Sequence, residues 1–188
     1  MKKLIRNFAL IVILGLLLLS VGCGGTTDYY NLSPWNPPSD SAFTSFVNSM
    51  NHPSKIASWM YSNCDYQSHT AVFSPYEFWT KRWGDCSEYA VLSSYVGHEN
   101  GYTTYQTYIL YTTDKAHRIC IYDMGANYYY TSTGHYYYGG TTFKACIDDW
   151  ARRKGITVAS YVVYNWAGSR IEDVGLKEII NRGIYDGE

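Results

Sequence analysis

The stretch from Trp83 to Gly101 constrains this chain more than any other. Asp85 at a cap and Glu88 three residues on form a capping pair, so a helix starts there and runs to about Asn100, where Gly101 stops it. One stripe of that helix, Cys86, Ala90, Ser93 and Gly97, is small throughout. A stripe of that kind lets another element approach very closely, while Leu92 and Val96 flank it with greasier contact. Just upstream, Ser74-Pro75-Tyr76-Glu77 repeats the capping logic and opens a shorter helix, which Gly84 is expected to break.

Further helices precede these. Ser39 or Asp40 can cap one whose apolar positions, Phe43, Phe46, Val47 and Met50, follow helical spacing. A second follows Pro53, with Ile56, Trp59 and Met60 on one side. From Tyr102 the pattern changes to β-branched and aromatic residues: Thr103 to Tyr111, His117 to Tyr122 and Tyr128 to Thr131 read as strands. Asp123-Met124-Gly125-Ala126-Asn127 reads as a hairpin turn joining the last two. Thr142 caps a helix that turns Phe143, Cys146, Ile147, Trp150 and Ala151 inward and ends at Gly155; Ile156 to Trp166 is a further strand, and 172–182 a short closing helix. Helices first, then an antiparallel sheet interrupted by one helix, is an α+β fold.

Composition narrows the function. Lys and Arg number 15 against 16 Asp and Glu, too balanced for a protein built to hold nucleic-acid phosphates. The 46% hydrophobic and 18% aromatic content excludes a disordered chain. Tyrosine is abundant, at 21 residues. The run Tyr136-Tyr137-Tyr138 with Gly139-Gly140 reads as an aromatic strand edge or turn, and alternatively as one wall of a groove.

The N-terminus is an address. Lys2, Lys3 and Arg6 precede an apolar run from Phe8 to Leu19, too short for a typical spanning helix. Ser20-Val21-Gly22-Cys23 resembles a bacterial lipobox, which implies acylation of Cys23 and a domain tethered to the outer face of a membrane; ordinary cleavage and secretion is the alternative. Loss of 1–22 would take the net charge from -1 to -4, leaving no electrostatic attraction to anionic lipid or DNA. The organisation expected is therefore a signal peptide at 1–22, a flexible spacer at 23–39 and one domain at 40–188.

Cys64, Cys86, Cys120 and Cys146 remain. No CxxC pair exists and the histidines lie far apart, so no metal and no cofactor is expected. Cys120 and Cys146 read as core thiols or as one disulfide. Cys86 differs. In the first turn of a helix it feels the positive end of the macrodipole and several amide N–H groups, which favour thiolate and can receive an oxyanion. Of His52, His69, His98, His117 and His135, His98 lies three turns down the same helix. His117 starts a strand of the sheet that would pack on the small stripe, so a contact with Cys86 is feasible.

Trp83-Gly84-Asp85-Cys86-Ser87-Glu88-Tyr89-Ala90-Val91-Leu92, followed by Gly101-Tyr102, resembles the cysteine helix of transglutaminase-like cysteine proteases. His117-Arg118-Ile119-Cys120-Ile121-Tyr122 resembles that family's histidine strand. The resemblance covers about residues 54–140 and implies a papain-like core in which Cys86 is the nucleophile and His117 the base. The family usually supplies Asp or Asn near the end of the next strand. Here that place falls at Ser132 or Thr133. Asp123, across a six-residue strand, stands roughly 20 Å from His117. Ser132 can accept from Nδ1–H and fix the tautomer, without an anion's stabilisation of imidazolium. Tyr66, Gln67 and Trp79 are candidate oxyanion partners.

The resemblance favours hydrolysis of a peptide or protein amide through a Cys86 thioester. A Cys-His peptidoglycan amidase or endopeptidase is a second reading. A surface binding module that kept the fold and lost turnover is a third.

Overall fold

The computed structural model describes residues 37–111 and 115–171. The expected signal peptide, Cys23, most of the expected spacer and the closing helix expected at 172–182 lie outside the described residues.

Helix α1 (Ser41–Ser49) starts where Asp40 Oδ1 accepts the N–H groups of Ala42 and Phe43 at 2.8 and 3.1 Å. Helix α2 (Pro53–Asn63) is capped by the His52 ring, a residue type that cap preferences do not single out. Helix α3 (Pro75–Lys81) carries the reciprocal Ser74–Glu77 capping box. It ends at Arg82, in left-handed conformation at φ 65°, so Gly84 does not break it. Gly84 has another job. It lies in β2 (Trp83–Gly84), which pairs in parallel with β1 (Asp65–Tyr66), and a Cβ there would stand 2.8 Å from the Glu88 side chain.

Helix α4 (Cys86–Glu99) is buried continuously from Glu88 to Gly97. Phe43, Val47, Ile56, Met60 and Phe78 of the first three helices pack with its Tyr89, Leu92, Tyr95 and Val96. Its small stripe meets the sheet. Ala90 packs on Cys120 and Tyr122, and the Tyr122 hydroxyl donates to the Ser93 carbonyl at 2.9 Å. A methyl at Gly97 would fall 2.7 Å from both Thr104 and Tyr122.

The main sheet is antiparallel, in the order β6-β5-β4-β3-β7: β3 (Thr103–Tyr111), β4 (Ala116–Asp123), β5 (Tyr128–Ser132), β6 (His135–Gly140) and β7 (Val158–Asn165). Alternation along the strands sends Ile109, Ile119, Ile121, Tyr130, Tyr161 and Val163 to the face opposite α4. There they meet Phe143, Ile147 and Trp150 of α5 (Phe143–Lys154). The fold is α+β, with the sheet covered on both faces. No helix among the described residues is long and apolar enough to cross a membrane.

Two alternatives left open in the sequence reading are resolved. Cys120 belongs to the α4 side of the sheet and Cys146 to the α5 side, and all four described cysteines are free thiols, so no disulfide joins that pair. Tyr136-Tyr137-Tyr138 lies in a full edge strand, β6, which follows β5 through a two-residue turn. Both turn residues have positive φ, Thr133 at 44° and Gly134 at 82°. That conformation follows the twist of a hairpin but is rare for a β-branched residue.

Candidate active site

Asp85 caps α4, its side chain accepting from Ser87 N–H at 2.7 Å, while Glu88 reaches back to Asp85 N–H at 2.8 Å. Cys86 is thereby fixed as the first helical residue. Its sulfur accepts from the backbone N–H of Arg118, the neighbour of His117 on β4, and from the Tyr66 hydroxyl. The ladder between β4 and β5 runs no further toward this end than Cys120 and Thr131, leaving the start of β4 an open edge where the thiol docks.

His117 points to the face that carries α5, not onto the small stripe of α4. Its ring stacks on Trp150, with centroids 4.9 Å apart and planes within 9°. Nε2 lies 2.9 Å from Ser132 Oγ. The serine therefore meets Nε2 and not Nδ1, and Nδ1 is the ring nitrogen left for other work. Thr133, the other candidate for the third position, occupies the strained turn beside Ser132. Asp123 is at the far end of β4, accepting from Gly125 N–H at 2.8 Å.

The electrostatics run against the macrodipole argument. Burial pushes the Cys86 thiol up to about 11, and the adjacent Asp85 and Glu88 carboxylates push the same way. The Arg118 N–H and the Tyr66 hydroxyl pull down without reversing this. Burial also lowers His117 to about 4; Lys154 lowers it further, and Asp85 opposes the change. Desolvation penalises both charged forms and is the largest cause of both shifts. The resting pair is neutral thiol and neutral imidazole.

The three oxyanion candidates separate cleanly. Trp79 packs against Phe43, Phe46 and Tyr76 in the helical core. Gln67 takes part in the β1–β2 region through its backbone, its N–H donating to the Gly84 carbonyl at 2.9 Å, and its side chain is exposed. Tyr66 alone meets the helix start: its phenol oxygen accepts from the Cys86 N–H and also contacts the sulfur.

Glu88, with no exposed surface, does more than cap. It accepts from Phe73 N–H at 3.0 Å and lies 2.9 Å from His69 Nε2, pinning the 65–73 segment beside the helix start. Donor atoms of His69, Asp85 and Glu88 all fall within 4.8 Å of one another, close enough for a cation. Each carboxylate, however, is already engaged by backbone N–H groups: Asp85 by that of Ser87, Glu88 by those of Asp85 and Phe73. Sequence reading missed the His69–Glu88 contact because 19 residues separate the partners and no motif links them.

No family model matches this chain, and no curated protein does. Among solved structures, Legionella pneumophila LapG is similar at 15% identity, covering 73% of this chain and 80% of LapG with a TM-score of 0.48. Its calcium-bound form gives 15% identity, coverage of 75% and 86%, and the same TM-score.

Proposed function

We propose that this chain is an exported thiol enzyme of the transglutaminase-like kind, hydrolysing peptide or protein amide bonds. Cys86 is its nucleophile, His117 its base and Ser132 the residue that orients the base. The observation that carries the reading is the 2.9 Å Nε2–Ser132 contact made by a histidine whose chain neighbour, Arg118, holds the Cys86 sulfur.

In this reading the Cys86 sulfur attacks the amide carbonyl carbon while its proton passes to His117 Nδ1. The oxygen becomes an oxyanion received by the Tyr66 hydroxyl, and by the Cys86 N–H once it leaves the Tyr66 oxygen. Collapse breaks the C–N bond, and His117 returns the proton to the departing amine. Water then attacks the thioester, giving up a proton to His117. The C–S bond breaks, releasing the carboxylic acid and regenerating the thiol. An amine in place of water would give cross-linking. Because both partners rest neutral, proton transfer accompanies attack instead of preceding it. A lipid on Cys23 would hold the domain at the outer face of a bacterial membrane.

Incubation with an activated acyl ester, followed by mass spectrometry of peptides under acidic conditions, tests the reading. The expected product is an acyl adduct on Cys86 that is absent in Cys86→Ser and persists longer in His117→Ala. Absence of any adduct on Cys86 would overturn it. The neutral resting states of Cys86 and His117, and the absence among the described residues of a carboxylate hydrogen-bonded to the His117 ring, favour a second reading, a binding module that kept the fold. Peptide binding undiminished in Cys86→Ala, with no adduct in the native chain, is its expected signature.

A further inference from the structure

The hydroxyl of Ser132 has one hydrogen, and the direction in which it points decides the chemistry of His117. If Ser132 donates to Nε2, the ring proton sits on Nδ1 and the base is blocked. If Ser132 donates elsewhere, its oxygen accepts Nε2–H and Nδ1 is free. Beside Ser132 is a cavity of about 290 Å³, lined also by Thr133, His135, Tyr137, Trp150, Arg153 and Lys154. Arg153 and Lys154 end α5 on one side, and no carboxylate is among the lining residues. Arg153 is braced in place by Asp149 at 2.6 Å and by its position over the Tyr137 ring. Trp150, only 2% exposed, has an indole N–H with no acceptor among the described residues.

We propose that this cavity binds a carboxylate, held by Lys154 and Arg153, which accepts the Ser132 hydrogen and so selects the His117 tautomer with Nδ1 free. The chain borrows from its ligand the anion that it lacks at position 132. The inference rests on the reading of His117 as base, and Ser132 acts in it as a positioning residue. Besides the ligand, the charged groups that act on His117 among the described residues are Lys154 on α5 and Asp85 at the α4 cap. A bound carboxylate offsets the repulsion from Lys154, so occupancy also raises the imidazole's proton affinity.

The test uses the full chain, labelled with ¹⁵N-histidine and titrated with sodium acetate at constant ionic strength. The expected result is a saturable movement of the His117 nitrogens toward the Nε2–H tautomer. With it comes an upward shift of its titration midpoint on the order of one pH unit. Lys154→Gln should need roughly tenfold more acetate. Ser132→Asp should hold the Nε2–H tautomer with no acetate present, and Ser132→Ala should lose the tautomer response while keeping part of the midpoint shift. A peptide with a free C-terminal carboxylate saturating below acetate would identify a substrate-borne ligand; the reverse order would identify a free anion. His117 signals that do not move, or that move equally in Lys154→Gln, would overturn the proposal. Either result is independent of whether Cys86 forms an acyl adduct, so failure here and failure of the thiol mechanism are separately visible.

Discussion

Alkylation of Cys86 as a function of pH distinguishes a neutral resting pair from a preformed ion pair. The thiol stands at about 11 and the imidazole at about 4, so the proton stays on sulfur in the resting state. At pH 7 the thiolate fraction is about one part in ten thousand, against roughly three in a hundred for an unperturbed cysteine. Iodoacetamide should therefore label Cys86 slowly at neutrality, no faster than Cys64, which burial also raises to about 11. The rate should climb about tenfold per pH unit toward that value. His117→Asn should leave this profile nearly unchanged while reducing amide turnover on the order of a hundredfold or more. Turnover itself should rise with pH through about 4, as His117 loses its proton, and then stay level through neutrality. The assay is time-resolved alkylation followed by peptide mass spectrometry. A fast plateau between pH 5 and 8 that disappears in His117→Asn would refute the reasoning, because it would require a thiolate–imidazolium pair at rest.

Other expectations follow from the same geometry. An unfolded chain protonates His117 near 6.5 but the folded one resists until about 4, so the unfolded state holds more protons in that window. Stability should be intact above 6.5 and fall as pH drops toward 4, by about 3 kcal/mol, with His117→Gln flattening this limb in urea titrations. Tyr66→Phe should lower kcat roughly ten- to a hundredfold with KM little changed, since the hydroxyl serves the oxyanion and not the bound ground state; an unaltered kcat would remove Tyr66 from the mechanism. Gly134→Ala should destabilise by about 2–4 kcal/mol, because its φ is 82° and the new methyl would stand 2.9 Å from the Tyr61 backbone. Gly125→Ala, with φ 81° but open space around it, should cost only about 1 kcal/mol; equal urea midpoints for the two variants would contradict that ordering.

What could be read from the sequence was what local chemistry determines. Caps at Asp40, Ser74, Asp85 and Thr142 are set by side chains bonding to amides two or three residues away, so the helix starts stand where the residue types put them. The stripe of Ala90, Ser93 and Gly97 predicted a close neighbour because three small side chains in register leave room for little else, and Tyr122 takes that room. What escaped depends on contacts between distant segments. Gly84 looks like a helix breaker, yet it is small because Glu88 must pass over it. Glu88 looks like half of a capping box, yet it also fastens a loop that brings His69 against it. The proton affinities of Cys86 and His117 escaped for the same reason. A helix terminus can be seen in a sequence, but the burial that shifts Cys86 and His117 comes from tertiary packing, as where Trp150 stacks on the His117 ring. Local rules therefore pointed to Cys86 and His117 as candidates, while tertiary burial shifts the proton affinity of each. The proposed anion beside Ser132 would act on that second quantity by altering the field at His117.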